Sequence, residues 1–270
     1  MKNFLQILLI SSLFIGCSSN EDDVTPEDTT PILLVKENFL ATNGTVEGSM
    51  NYTYNGDKIV KMETSDGEEK VEFTYNGDEI SKSITYLDNQ IREINEFFYT
   101  NGKLTSQKVT NSSAPVPYNF TINYDYINDN YVKYTRVTGY STNNSGVITY
   151  SKTNYEAFIS NGNLNKIISQ STSSGTTTYN YTYDDKNHPY KNIRGYAKAM
   201  IFDSTNSDLS SINNLKKRTY NQLVLGTVYT GTTTNTLTYN TNNFPSKITT
   251  VDSGSGHPTY SYTTTFEYNK

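Results

Sequence analysis

The groups in this sequence that could do chemistry are few. Cys17 is the only cysteine in 270 residues, so no intramolecular disulfide can form. The two histidines, His188 and His257, each precede a proline and lie far apart in the chain. A serine–histidine–acid set needs a histidine held by an acid and touching a serine. Nothing local suggests one, and histidines in such loop sequence are expected to be solvated rather than bound to zinc. The carboxylates Asp57, Asp78, Asp129, Asp184 and Asp185 sit among turn residues, where aspartate bonds to its own backbone. That position explains them without the paired acids of a glycosidase. A calcium site at Asp184-Asp185-Lys186-Asn187 is conceivable, but the chain has no EF-hand spacing and no phosphate-cradling glycine loop. Catalytic residues, metal sites and cofactors are therefore read as none, and the chain as non-enzymatic. What remains is tyrosine, with 24 copies. Tyr179, Tyr181 and Tyr183 alternate along one stretch, and Tyr260 and Tyr262 along another. These five are the candidate binding residues, because a tyrosine ring stacks on sugar faces while its hydroxyl bonds to sugar oxygens. The first reading of such stripes is nevertheless a core face, with tyrosine rings filling a barrel or the inside of a curled sheet.

The elements that carry these tyrosines repeat. An aromatic residue, a short polar turn with Asn or Gly, and an aliphatic residue recur at Tyr54-Asn55-Gly56-Asp57 with Ile59, and at Tyr75-Asn76-Gly77-Asp78 with Ile80. Further copies run from Tyr99 to Leu104 and from Phe158 to Leu164, with looser ones at Tyr126, Tyr183 and Tyr239. The anchoring aromatics stand 21, 24, 27, 32 and 25 residues apart up to Tyr183, room for two strands and two turns. Asn and Gly tolerate the positive φ of tight hairpin turns, whose twist matches that of the strands they join. The flanks alternate as half-buried strands do: Val71, Phe73 and Tyr75 share a face against Glu72 and Thr74. The expected fold is all-β, an antiparallel meander of about fifteen strands over residues 37–270, curled into a barrel or a strongly twisted sheet. Closure is favoured because a flat sheet of that size leaves two sticky edges. Near 190–214 the rhythm breaks. Ile193, Tyr196, Ala197, Met200 and Ile201 have helical spacing after Pro189, which predicts a short helix or irregular excursion followed by a polar loop.

Residues 1–16 read as a lipoprotein signal peptide, with Lys2 as its positive start and a Phe4–Phe14 apolar run too short to span a bilayer. The segment Leu13-Phe14-Ile15-Gly16-Cys17 resembles a bacterial lipobox, which makes Cys17 the lipidated residue and the membrane a partner through its lipid. Two or three acyl chains anchor stably where one does not. Residues 17–36 read as a flexible acidic tether, since five acids and no bases fall between Ser18 and Ile32 and such a segment cannot bury enough apolar surface to fold. Acids just after the lipid cysteine resemble the export signal of Bacteroidota surface lipoproteins. An outer-membrane lipoprotein at the cell surface is expected ahead of the periplasmic face.

The 22 basic and 27 acidic residues leave a net charge of −5. No basic stripe is present, so nucleic acid is not expected as a partner. The tyrosine–glycine–aliphatic rhythm resembles the YD repeats of Rhs and teneurin shells, although the Tyr-Asp pair itself stands at a turn only in Tyr183-Asp184. Lipobox, repeats and the Tyr-Asp-x-Lys-Asn-x-Pro-Tyr element at 183–190 together are similar to a family of Bacteroidota lipoproteins of unknown function. That resemblance implies a porin-like β fold and no active site. The resulting expectation is an envelope or surface module that binds glycan, peptide or an envelope protein. A structural envelope protein, a polysaccharide hydrolase and an outer-membrane pore are the alternatives. Against the pore stands the second face of the strands, rich in Thr, Ser, Asn, Lys and Glu where a lipid-facing band needs apolar side chains.

Overall fold

A computed structural model describes residues 30–112, 118–142, 146–171, 175–203 and 211–270. Cys17, the leader and most of the tether lie outside them. The chain runs through β1 (Leu34–Leu40), β2 (Val46–Asn55), β3 (Lys58–Thr64), β4 (Glu69–Asn76), β5 (Glu79–Leu87) and β6 (Gln90–Thr100). Next come β7 (Lys103–Asn111), β8 (Tyr118–Asn123), β9 (Asp125–Asn128), β10 (Tyr131–Thr142), β11 (Ile148–Ser160) and β12 (Asn163–Ser171). After β13 (Gly175–Tyr183) a helix, α1 (Tyr196–Met200), interrupts the meander. It resumes with β14 (Leu215–Val224), β15 (Thr227–Tyr239), β16 (Pro245–Gly254) and β17 (His257–Tyr268).

Strands pair antiparallel with their sequence neighbours, and β1 pairs with both β2 and β17, so the first and last strands join. This is the curled meander expected, with 17 strands where about fifteen were read. Part of the difference is Tyr124, which breaks one strand path into β8, paired with β7, and β9, paired with β10. The barrel is nearly closed: β8 forms no ladder with β10 along its own length. The domain also starts earlier than residue 37. Leu33 and Leu34 are buried and Leu34 pairs with Tyr268, because the two leucines complete the wall that the last strand needs as a partner.

The repeat lines one rim. Opposite three of the anchoring aromatics lies the buried aliphatic of the same hairpin, Tyr54 facing Ile59, Tyr75 facing Ile80 and Tyr99 facing Leu104, and across the excursion Tyr183 faces buried Leu215. Each of these pairs sits beside a β-bulge, which sharpens the local bend and twist that a closing sheet needs. Hydroxyls then staple neighbouring hairpins. Tyr99 donates to the Ile80 carbonyl (2.9 Å), Tyr183 to Leu164 (2.6 Å), Tyr54 to Leu34 (2.7 Å) and Tyr268 to Pro245 (2.8 Å). Burial pushes the Tyr75 hydroxyl up to about 12. At the Asn101-Gly102 and Asn161-Gly162 turns both residues have positive φ, as the sequence predicts.

The excursion after β13 plugs this rim. Tyr190, Ile193, Tyr196, Ala199 and Phe202 are buried among inward side chains of the strands. Phe202 stacks on Tyr124 at 4.6 Å, and Tyr196 meets Phe73 at 6.1 Å and Tyr190 at 5.0 Å. Polar groups fasten it to the turns. Arg194 grips Asp57 at 2.5–3.0 Å and reaches Asp78 at 3.3 Å, holding the Asp57 carboxyl below its ordinary range. Lys198 pairs with Glu79 at 3.0 Å. At the entry, Asp184 accepts from the Lys186 and Asn214 amides and from the hydroxyl of Tyr239. The helix is the short one expected, and the described end of the polar loop is tucked in at Ser211 and Asn214, each 1% exposed, while Ile212 stays 39% exposed. The buried side chains of the excursion supply the core that the wide barrel could not fill from its walls.

Outward positions are charged along β2–β7. Lys61–Glu63, Lys70–Glu72 and Lys108–Glu96 form ion pairs at 2.7, 2.9 and 3.0 Å, alternating with inward Phe73, Phe97 and Gln107. Along β14–β16 the wall changes character, and Thr219 to Ser246 contains no charged residue. There Thr230, Thr232, Thr234 and Thr236 point out between inward Gly231, Thr233 and Asn235. No helix among the described residues is long and apolar enough to cross a membrane.

Candidate functional site

The inner wall of β1 and β14–β17 is not filled by the plug. A cavity of about 150 Å³ remains, lined by Glu37, the plug residues His188, Pro189, Tyr190 and Asn214, and the wall residues Leu215, Asn235, Ile248, Thr250, Tyr262, Thr264 and Phe266. Register brings these together: Glu37 pairs with Phe266, Ile248 with Thr264 and Thr250 with Tyr262, so all six side chains point inward on adjacent strands.

Glu37 is the charged group of the site and is 9% exposed. Its Oε1 accepts a hydrogen bond from the Tyr190 hydroxyl at 2.5 Å, and that hydroxyl lies 2.9 Å from the hydroxyl of Tyr52. The Tyr52 hydroxyl also lies within hydrogen-bonding reach of this carboxylate, which borders the cavity. Burial drives the Glu37 carboxyl above its ordinary range, an effect that the Tyr190 and Tyr52 hydroxyls partly offset. The same burial, with the neighbouring acid, pushes the Tyr52 and Tyr190 hydroxyls well up. A raised folded-state value means that the protonated carboxyl favours the fold. This stability is full below the unfolded carboxyl's roughly 4.3 and is lost as pH rises through the folded value. Glu37→Gln, which stays neutral, should therefore melt higher than the parent at neutral pH, with the gap shrinking to nothing near pH 4. Thermal melts at a series of pH values check this.

His188 corrects the sequence reading. It is 5% exposed, not solvated, and its Nδ1 accepts from the Tyr190 amide at 3.3 Å, because the plug folds the loop inward. His257 opens β17 and stands apart from it in the fold. The five candidate tyrosines divide. Tyr181 is buried, Tyr179 stacks on it at 6.4 Å, and the hydroxyl of Tyr183 is spent on the rim staple. Tyr260 and Tyr262 are 55% and 54% exposed, and Tyr262 lines the cavity. Sequence reasoning missed Glu37, and no local signal marks it: a glutamate at the start of a domain reads as surface.

The rim opposite the plug bears a second irregularity. At the β14–β15 turn Leu225 has φ 49 and is fully exposed, where the other non-glycine residues with positive φ are Asp or Asn. Left-handed backbone costs such a residue about 1–2 kcal/mol. Leu223 and Val228 beside it are 49% and 54% exposed.

Fold and site together define a nearly closed antiparallel β-barrel, plugged at one rim and, among the described residues, without such a plug at the other. Among solved structures the chain is similar to a porin-like protein from Bacteroides uniformis ATCC 8492, with 11% identity, a TM-score of 0.48, and coverage of 89% of this chain and 97% of that one. No family model matches the chain, and no curated protein does.

Proposed function

We propose that this chain is a lipid-anchored envelope barrel, attached through Cys17, that binds its ligand non-enzymatically through the rim opposite the plug. One observation carries the reading: Tyr262, half exposed, borders an interior cavity whose other side is formed by the plug, and exposed Tyr260 lies beyond it along β17 toward the opposite rim. The chain enters the barrel at the plugged rim, where Asn269 bonds to Pro31, and Tyr260 and Tyr262 lie toward the opposite rim. Exposed Leu225, kept in a costly conformation with apolar neighbours, fits a contact surface better than a solvated turn. The ligand expected is a glycan or a peptide. Of the alternatives, a hydrolase needs two converging carboxylates, and Glu37 is the single carboxylate among the lining residues of the cavity. A pore needs a continuous apolar outer band, whereas ion pairs and threonines interrupt the outward positions here, with apolar side chains such as Phe98 and Val251 between them.

The test is a glycan, peptidoglycan and peptide array probed with residues 17–270 carrying Cys17→Ser. A Tyr260→Ala/Tyr262→Ala variant is run beside it. Binding by the parent that is lost in the folded variant is the expected result. Turnover of a bound sugar, or binding indifferent to both tyrosines, would overturn the reading.

A further inference from the structure

We infer that the interior cavity is a seat for a primary ammonium group carried on a short aliphatic stem. The inference rests on the rim-binding reading above and names the chemistry of the ligand's innermost end. Glu37 is 9% exposed and borders the cavity, and the groups that approach its carboxylate, the Tyr190 and Tyr52 hydroxyls, are neutral donors. No lysine or arginine lines the cavity, and none is paired with Glu37 among the described residues. A buried carboxyl without a counter-charge is a costly arrangement, and a cationic donor from outside supplies that counter-charge.

The rest of the lining suits the same group. The rings of Tyr262 and Phe266 border the cavity, and aromatic faces attract ammonium ions through their quadrupole. The Thr264 side chain borders the cavity and is partly accessible, so its hydroxyl can accept a hydrogen bond from a second ammonium N–H. Pro189, Leu215 and Ile248 supply an apolar surface for methylene groups. An anion would meet the Glu37 carboxyl and no cationic side chain, and a neutral alcohol would bond to the acid without supplying charge. A lysine side chain and an amino sugar both present an ammonium group, and the small probe isolates what they share.

The experiment is calorimetric titration of the same Cys17→Ser protein with n-butylammonium, beside 1-butanol and butyrate. Saturable binding of n-butylammonium at one site is expected, with 1-butanol and butyrate weaker by about tenfold or more, the scale of one charge-assisted hydrogen bond. This comparison needs no variant. Glu37→Gln, which leaves Tyr190 an oxygen to donate to, should weaken n-butylammonium by a similar factor while its far-UV circular dichroism stays that of the parent. Equal binding of the alcohol, no saturable binding of n-butylammonium, or unchanged affinity in folded Glu37→Gln would each overturn the inference. Should Tyr260→Ala/Tyr262→Ala lose an array ligand while n-butylammonium ignores Glu37, the rim-binding reading stands and this one falls. N-acetylated and free amino sugars, and lysine and acetyl-lysine peptides, then separate the sources. In each pair the free amine is expected to bind, and preference for the acetylated member would overturn the assignment.

Discussion

Tyr196→Ala should lower the unfolding free energy by about 3–5 kcal/mol, the range for removing a large buried aromatic side chain. Tyr196 is 2% exposed and wedged between Phe73 of the wall and Tyr190 of the plug, so truncation opens a cavity where plug and barrel meet. For a domain of this size the loss corresponds to a fall in melting temperature of roughly 6–20 °C. Tyr260→Ala is the control, since an exposed side chain should cost within about 0.5 kcal/mol. A large, single-transition loss for Tyr196→Ala would show the plug folding as one unit with the barrel. A small loss, or a separate early transition, would instead show a plug that detaches while the wall persists. Chemical denaturation followed by tyrosine fluorescence and far-UV circular dichroism distinguishes the two.

Gly195→Ala should be comparably damaging through a different cause. Gly195 begins α1 with φ +72, and an added Cβ would stand 2.7 Å from the Asp78 carbonyl oxygen and 3.2 Å from the Ile80 amide nitrogen. Both are backbone atoms of the β4–β5 turn and cannot swing aside as a side chain would. Left-handed strain of about 1–2 kcal/mol adds to overpacking of about 1–3 kcal/mol, for a total of roughly 2–5 kcal/mol. Gly56→Ala separates the two terms. Its φ is +64 and nothing lies within 4 Å of the added carbon, so only the strain should appear, about 1–2 kcal/mol. Equal losses at the two sites, measured by denaturant titration, would mean that the plug does not bear on that turn as closely as described.

Both effects converge on the plug, which the sequence announced only faintly. Helical spacing from Ile193 to Ile201 marked an excursion, and Gly195 within it is a poor helix former. The glycine is the point of closest approach to the β4–β5 turn. Such a contact joins positions more than a hundred residues apart and leaves no local trace. The same limit applies to Glu37, which is charged and stands close to an acidic tether. Pairing of β1 with β17 turns it inward beside Phe266, and the plug then supplies Tyr190 as its donor.

The sequence by itself determined the hairpins, their turn chemistry and the strand faces. Those properties follow from interactions between near neighbours: Asn and Gly relieve positive φ at turns, and alternation of Tyr or Phe with Thr, Lys or Glu sorts each strand into two sides. Tertiary structure decided which of those sides became interior, and how deep each tyrosine lies. It buried Tyr181, left Tyr260 and Tyr262 open at the far rim, drew His188 inside, and divided one strand path at Tyr124. These outcomes depend on closing a wide barrel whose walls cannot fill their own centre. The side chains that fill it come from one excursion packed against strands throughout the chain, so their burial is a property of the closed ring, which no single hairpin contains.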